Sequence, residues 1–339
     1  MGVTCQILIK PSIDGKIIIG QSIAGVVKYS LSKPTQYKRV TLSLIGRGIC
    51  EWTQQKKNKG PGVNKIVKHE GNEKIIIERV ITNDQRTNLT INAATYEYPF
   101  EIQLPLNIPP SVKTEICQIY YHIALIFEKP STLKMPQIFV TKHLTIHPNI
   151  PITIPDRPIS FGLDKTLIKL FKKKQTIHLK GKLDNGYLSP SRDNKICFTV
   201  KNHSNITVSV NTELISEIVY RDDSGNVKSE RAVIEELKSP NVPENSTANL
   251  LYKIPIRTDI YTVRCSKVMS RVYTLKVTAR LPFPHINATV EIPIAIGERH
   301  NDEMVPMEQP PLYWEFKNTR ETYYRIYPTS TSNARLFVS

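Results

Sequence analysis

Four consecutive residues near the C-terminal end, Pro310-Pro311-Leu312-Tyr313, form a PPxY sequence. Adjacent prolines favour the extended polyproline II helix, so little ordering is left to impose on binding. WW domains receive such a segment in an aromatic groove and seat its tyrosine in a second pocket. With 24 Pro and 15 Tyr in 339 residues, a chance PPxY is uncommon. A second group is basic. Lys169, Lys172, Lys173 and Lys174 interleave with Leu163, Leu167, Leu170 and Phe171, which fall at helical spacing. Two readings follow: a short amphipathic helix lying on an anionic membrane, or a solvated linker or edge strand whose lysines discourage pairing.

Chemistry of other kinds finds no support. Neither a phosphate-binding GxxxxGK[ST] nor HExxH, GxSxG or GxGxxG occurs. Gly46-Arg47-Gly48 is too short for a phosphate loop and marks a strand where another group approaches closely, or a bulge. His143 and His147 lack the partners a zinc site needs and read as strand-end residues. Glu235 and Glu236 are adjacent on a predicted strand, so they face opposite ways and form no acid–base pair. No catalytic residue, metal site or cofactor is expected, and the chain reads as a binding protein.

The elements that position these residues are strands. Val40, Leu42 and Leu44 alternate with Thr41 and Ser43; Tyr121, Ile123, Leu125 and Phe127 share one face. Ile196, Phe198 and Val200 repeat the period, as do Tyr273 to Ala279 and Val290 to Ile296. Helical periodicity is otherwise missing, so an all-β architecture of packed, immunoglobulin-like sandwiches is predicted. Pro151, Pro155 and Pro158 stiffen a connector, which divides the chain. The expected organisation is a sandwich over 1–150, a linker with the basic segment over 151–175, a second sandwich over 176–298, and a flexible, disordered tail over 299–339. A weak internal repeat agrees: Gly20-Gln21-Ser22 and Asn185-Gly186-Tyr187 are each a turn feeding an alternating strand.

Charge and cysteine set the surroundings. Forty-six Lys+Arg against 30 Asp+Glu give a net charge of +16. Nucleic acid is the first partner such a charge suggests. A nucleic-acid binder, however, couples basic residues to stacking aromatics or a recognition helix. Here the lysines are spread along strands and linkers, so no nucleic-acid partner is expected, and acidic lipid or cargo fits better. The five cysteines, Cys5, Cys50, Cys117, Cys197 and Cys265, are odd in number and far apart. Reduced, mostly buried thiols in an intracellular protein are expected.

The chain resembles the α-arrestins, or arrestin domain-containing proteins. Leu44-Ile45-Gly46 followed by Cys50-Glu51-Trp52 is similar to that family's strand, glycine and tryptophan. Tyr96-Glu97-Tyr98-Pro99-Phe100-Glu101-Ile102-Gln103-Leu104-Pro105 resembles its PFxfxLP signature. Gly186-Tyr187-Leu188-Ser189-Pro190 and Val200-Lys201-Asn202-His203-Ser204 are similar to its GYxPG…NxS run, with Ser191 where a glycine is usual. The resemblance implies two arrestin-like sandwiches in a cytoplasmic adaptor, peripheral to plasma membrane and endosomes. It would link membrane receptor or transporter cargo to a WW-domain HECT-type ubiquitin ligase, which Pro310, Pro311, Leu312 and Tyr313 would bind. The lysines at 169, 172, 173 and 174 would meet anionic membrane or acidic cargo. Two alternatives are a retromer-type sorting subunit acting without a ligase and a basic nucleic-acid-binding protein. Cys265 sits where a thioredoxin-binding member carries its partner cysteine, but a buried core thiol is expected there, and no thioredoxin binding.

Overall fold

A computed structural model describes residues 3–12, 15–57, 64–83, 89–130, 137–151, 153–154, 156–167 and 175–299. Their regular structure is entirely strand, arranged as two sandwiches. In the first, β1 (Val3–Ile9), β3 (Ser22–Leu31) and β8 (Thr95–Gln103) form one sheet in the order β1-β3-β8. The facing sheet runs β11 (Gln137–Leu144), β10 (Cys117–Glu128), β5 (Arg39–Lys57), β6 (Asn64–Asn83), with β9 (Val112–Lys113) beside β10. Alternation explains the core between them. Val27 and Tyr29 from one sheet meet Leu42, Leu44, Ile123, Leu125 and Phe127 from the other in a single buried cluster. Tyr29 places its ring edge-on to Phe127, with centroids 5.2 Å apart, an arrangement favoured by the ring quadrupoles. The alternation is not complete, since Thr41 and Ser43 are buried too. They are small side chains on a strand paired on both sides, by β10 and β6.

The second sandwich repeats the plan. One sheet runs β13 (Ile159–Leu167), β14 (Gln175–Leu183), β16 (Lys195–His203), β19 (Ser246–Lys253). The other runs β15 (Tyr187–Leu188), β21 (Ala288–Ile296), β20 (Met269–Arg280), β17 (Ser209–Arg221), β18 (Val227–Lys238). Ile196, Phe198 and Val200 pack against Leu275, Val277 and Ile294 between these layers.

The connector is shorter than proline content suggests. Residues 159–167, expected inside a linker, pair along their length with β14, from Ile159↔Leu183 to Leu167↔Gln175. Leu163 and Leu167 are therefore strand residues, and a helix across them is ruled out. The edge-strand reading holds for this part, because β13 ends its sheet. Lys169, Leu170, Phe171, Lys172, Lys173 and Lys174 lie outside the described residues, as do Pro310, Pro311, Leu312 and Tyr313.

Candidate functional site

The two sandwiches meet along the edge of β6. That strand ends its sheet, and its open backbone groups need partners. The β17–β18 turn supplies them. The Asp223 amide donates to the Glu70 carbonyl at 3.0 Å, and the Asn72 amide donates to Asp223 Oδ1 at 2.9 Å. His69 Nδ1 lies 2.8 Å from Asp222 Oδ2, with both side chains almost fully buried. Burial alone would raise the Asp222 pKa. Hydrogen bonds from His69, Asn226 and Ser224 outweigh it and hold the carboxyl down at about 2. Trp52 stacks on the His69 ring with centroids 5.0 Å apart and 12° between planes.

A second contact lies further along the same strand. Glu73 is buried, and its Oε2 accepts from Ser266 Oγ at 2.7 Å and from the Lys267 amide at 3.0 Å. The Ser266 hydroxyl in turn caps the Val268 and Met269 amides. Val268 and Met269 join the core of the first sandwich, together with Tyr220 and Val263. The seam is thus both apolar and charge-assisted, and two domains so joined share part of one core.

The Gly46-Arg47-Gly48 run serves this region as a site of close approach, without a bulge there. A Cβ on Gly46 would stand 2.3 Å from the Tyr121 ring, and one on Gly48 would stand 2.9 Å from Val268. The Tyr121 hydroxyl donates to the Pro109 carbonyl at 2.6 Å, which fixes the ring over the glycine. The motif over 96–105 also serves the core, to which it contributes Phe100, Ile102 and Leu104 as buried residues.

The joint itself is closed by the other motif run. Arg299 donates to the Pro151 carbonyl at 3.1 Å and to the Ile154 carbonyl, and its guanidinium lies 4.9 Å from the Tyr187 ring centroid. Arg192 approaches the same ring at 5.3 Å and pairs with Asp156 at 3.2 Å. The Ile150 amide donates to the Glu298 carbonyl at 2.9 Å. Ser191 needs no glycine: its backbone is outside the left-handed region, and its hydroxyl donates to Glu298 Oε2 at 2.8 Å. Chain leaving Arg299 therefore starts from the joint between the sandwiches.

The far end of the second sandwich is different in kind. The connection after β20 exposes Phe283 at 96% and Ile286 at 79%. Leu281, just before them, packs with Leu167, Ile177, Val208 and Ala279. Leu167 ends β13, so the lysine-rich residues 168–174 continue in sequence from this same end.

Several residues singled out by type prove structural. His143 lies on β11, its ring 5.8 Å from His122, whose pKa is lowered by burial and then by His143. His147 ends β12 (Ile146–His147). Glu236 accepts from Asn211 Nδ2 at 2.9 Å and pairs with Lys238, while Glu235 on the same strand faces the other way. Among the described residues, no three His, Cys, Asp or Glu side chains converge as a metal site. The cysteines require a correction. Cys50 and Cys117 are buried and Cys5 is half-buried, but Cys197 and Cys265 are exposed. Cys197 sits on the outward side of β16 between buried Ile196 and Phe198. Cys265 is in a turn at φ 63°, ahead of the Ser266 cap, and not in the core. His69, Glu73, Asp222, Asp223 and Ser266 escaped sequence reasoning, because their partners lie 151–194 residues away and no local motif marks them.

Comparison with known proteins matches both halves. The family model "Arrestin (or S-antigen), N-terminal domain" covers residues 12–152, and "Arrestin (or S-antigen), C-terminal domain" covers residues 173–301. Two curated relatives come from Schizosaccharomyces pombe. Arrestin domain-containing protein C31A2.12 is 22% identical over 147 residues, 42% of this chain and 24% of its own length. Arrestin domain-containing protein C584.15c is 28% identical over 114 residues, 32% of this chain and 18% of its own length. The matches thus span about a quarter or less of those relatives.

Proposed function

The chain belongs to the arrestin family, with that family's N- and C-terminal domains in order, and we propose that it acts as an α-arrestin-like adaptor carrying membrane cargo to a WW-domain HECT-type ubiquitin ligase. The observation that carries this reading is Pro310-Pro311-Leu312-Tyr313, a sequence of the PPxY type that WW domains accept, following a two-sandwich body. Arg299, tied to the connector, gives the chain beyond it a fixed point of departure between the two domains. A ligase held there stands close to cargo on either sandwich, and tethering raises its effective concentration at the cargo. Ubiquitination would then direct internalisation and endosomal sorting.

Reconstitution tests the reading: purified chain, a WW-domain HECT ligase with its upstream enzymes, and a cargo tail. Full-length chain should stimulate cargo ubiquitination, and the chain without residues 300–339 should not. Equal sorting activity without the tail would favour the retromer-type alternative, in which the arrestin fold works by assembly alone.

The exposed apolar tip supports a second contact. Phe283 and Ile286 offer apolar insertion, and Lys169, Lys172, Lys173 and Lys174, which follow Leu167 in sequence, would add attraction to anionic lipid. Full burial of one such side chain is worth about 1.5–3 kcal/mol. The double variant Phe283→Ser/Ile286→Ser should therefore lose binding to phosphatidylserine vesicles about tenfold or more in cosedimentation. Vesicle binding that survives the double change would remove the membrane role from this tip.

A further inference from the structure

Cys50 on β5 and Cys117 on β10 are direct cross-strand partners. The Cys117 carbonyl accepts from the Thr114 amide at 2.8 Å, so its backbone faces the short β9 turn. The adjacent Ile116 carbonyl is the one that faces β5, accepting from the Glu51 amide at 2.8 Å. Cys50 and Cys117 therefore occupy a non-hydrogen-bonded pair, the register in which side chains come closest and Cα atoms lie about 4.5 Å apart. That separation falls inside the range of about 4.4–6.8 Å that disulfides span. Both thiols are free, on the same face, and buried at 0% and 2% exposure.

What covers them is the seam. On its other side Cys50 pairs with Gly71, and Gly71 lies against the Arg221 carbonyl. The closeness of the two thiols favours the Cys50 thiolate and, with burial, raises Cys117. One sulfur is thus disposed to attack and the other to resolve.

We propose that Cys50 and Cys117 form a reversible dithiol–disulfide site, oxidised by a peroxide when the β17–β18 turn lifts from β6. The Cys50 thiolate attacks one peroxide oxygen and breaks the O–O bond, giving a sulfenic acid and hydroxide, which takes the thiol proton and leaves as water. The Cys117 sulfur then attacks the Cys50 sulfur, forming the S–S bond and releasing a second water. Two thiols and one hydrogen peroxide become one disulfide and two waters, and a dithiol reductant reverses the change. The site records opening of the joint and is independent of the adaptor reading.

The test uses the full chain carrying Cys197→Ser and Cys265→Ser, exposed to hydrogen peroxide under native conditions, alkylated in denaturant, digested and weighed. The expected product is one peptide pair linked through Cys50 and Cys117, lighter by two hydrogens, reversed by dithiothreitol and absent in Cys50→Ala. His69→Ala should form it about tenfold faster, because an opening that must break one fewer charge-assisted hydrogen bond is more populated. Asn72→Ala repeats that comparison with a milder change. Recovery of both residues as alkylated thiols, or as separately over-oxidised acids, in parent and variants alike would overturn the proposal. So would linkage of either one to Cys5 instead.

Discussion

Gly71→Ala is expected to part the two sandwiches while leaving each one folded. A Cβ at this position would stand 2.3 Å from the Arg221 carbonyl oxygen and 3.2 Å from the Asp222 Cα. These are backbone atoms, so no side chain can rotate aside. The turn must back away from β6 instead. Its withdrawal stretches the Asp223–Glu70 and Asn72–Asp223 hydrogen bonds and the buried His69–Asp222 pair together. Overpacking against unyielding atoms, with weakened charge-assisted bonds, costs about 2–4 kcal/mol. Hydrogen exchange reads the effect locally. The Asn72 and Asp223 amides, which donate across the seam, should exchange faster by roughly two orders of magnitude, while those of Ile123 and Val277, deep in each core, stay protected. Unchanged exchange at the turn would mean that the seam is looser than its geometry implies.

Legibility in the sequence followed the range of the interactions. Alternation along β10, β16 and β20 is a local property, so those strands and their inward faces could be read directly. The glycine at 46 was readable as a close approach, although Tyr121 as the approaching group was not, because only the β5–β10 register brings it there. Residues 163 and 167 stayed ambiguous for a physical reason: a spacing of four serves both one helix face and one strand face, and the deciding partner, β14, lies further along the chain. Cys265 misled, because a motif position fixes neighbours in sequence and not exposure. The seam was the least legible feature. His69, Glu73 and Asp222 are ordinary polar residues until two sandwiches fold and meet, and only then does burial bring them their partners across the seam.

The second large effect concerns the tail, where the adaptor reading rests. In a WW complex the prolines supply a preset extended backbone, and the tyrosine supplies the largest buried side chain. Truncating such an anchor typically costs about 2 kcal/mol or more, whereas residue x is the position the PPxY pattern leaves open. Tyr313→Ala should therefore weaken binding at least about thirtyfold, and Leu312→Ala should leave it within about threefold. Both positions lie outside the described residues, and thermal unfolding of the body is expected at the same temperature in all three proteins. A single PPxY contact is weak, and presenting the WW domains in tandem adds nothing unless the chain itself pairs. The direct measurement is titration of the full-length chain with an isolated WW domain of a HECT-type ligase, followed calorimetrically. One-to-one binding is expected for the natural sequence and for Leu312→Ala, with its loss in Tyr313→Ala. Equal affinity for Tyr313→Ala and the natural sequence, or no binding to either, would refute the ligase-adaptor role.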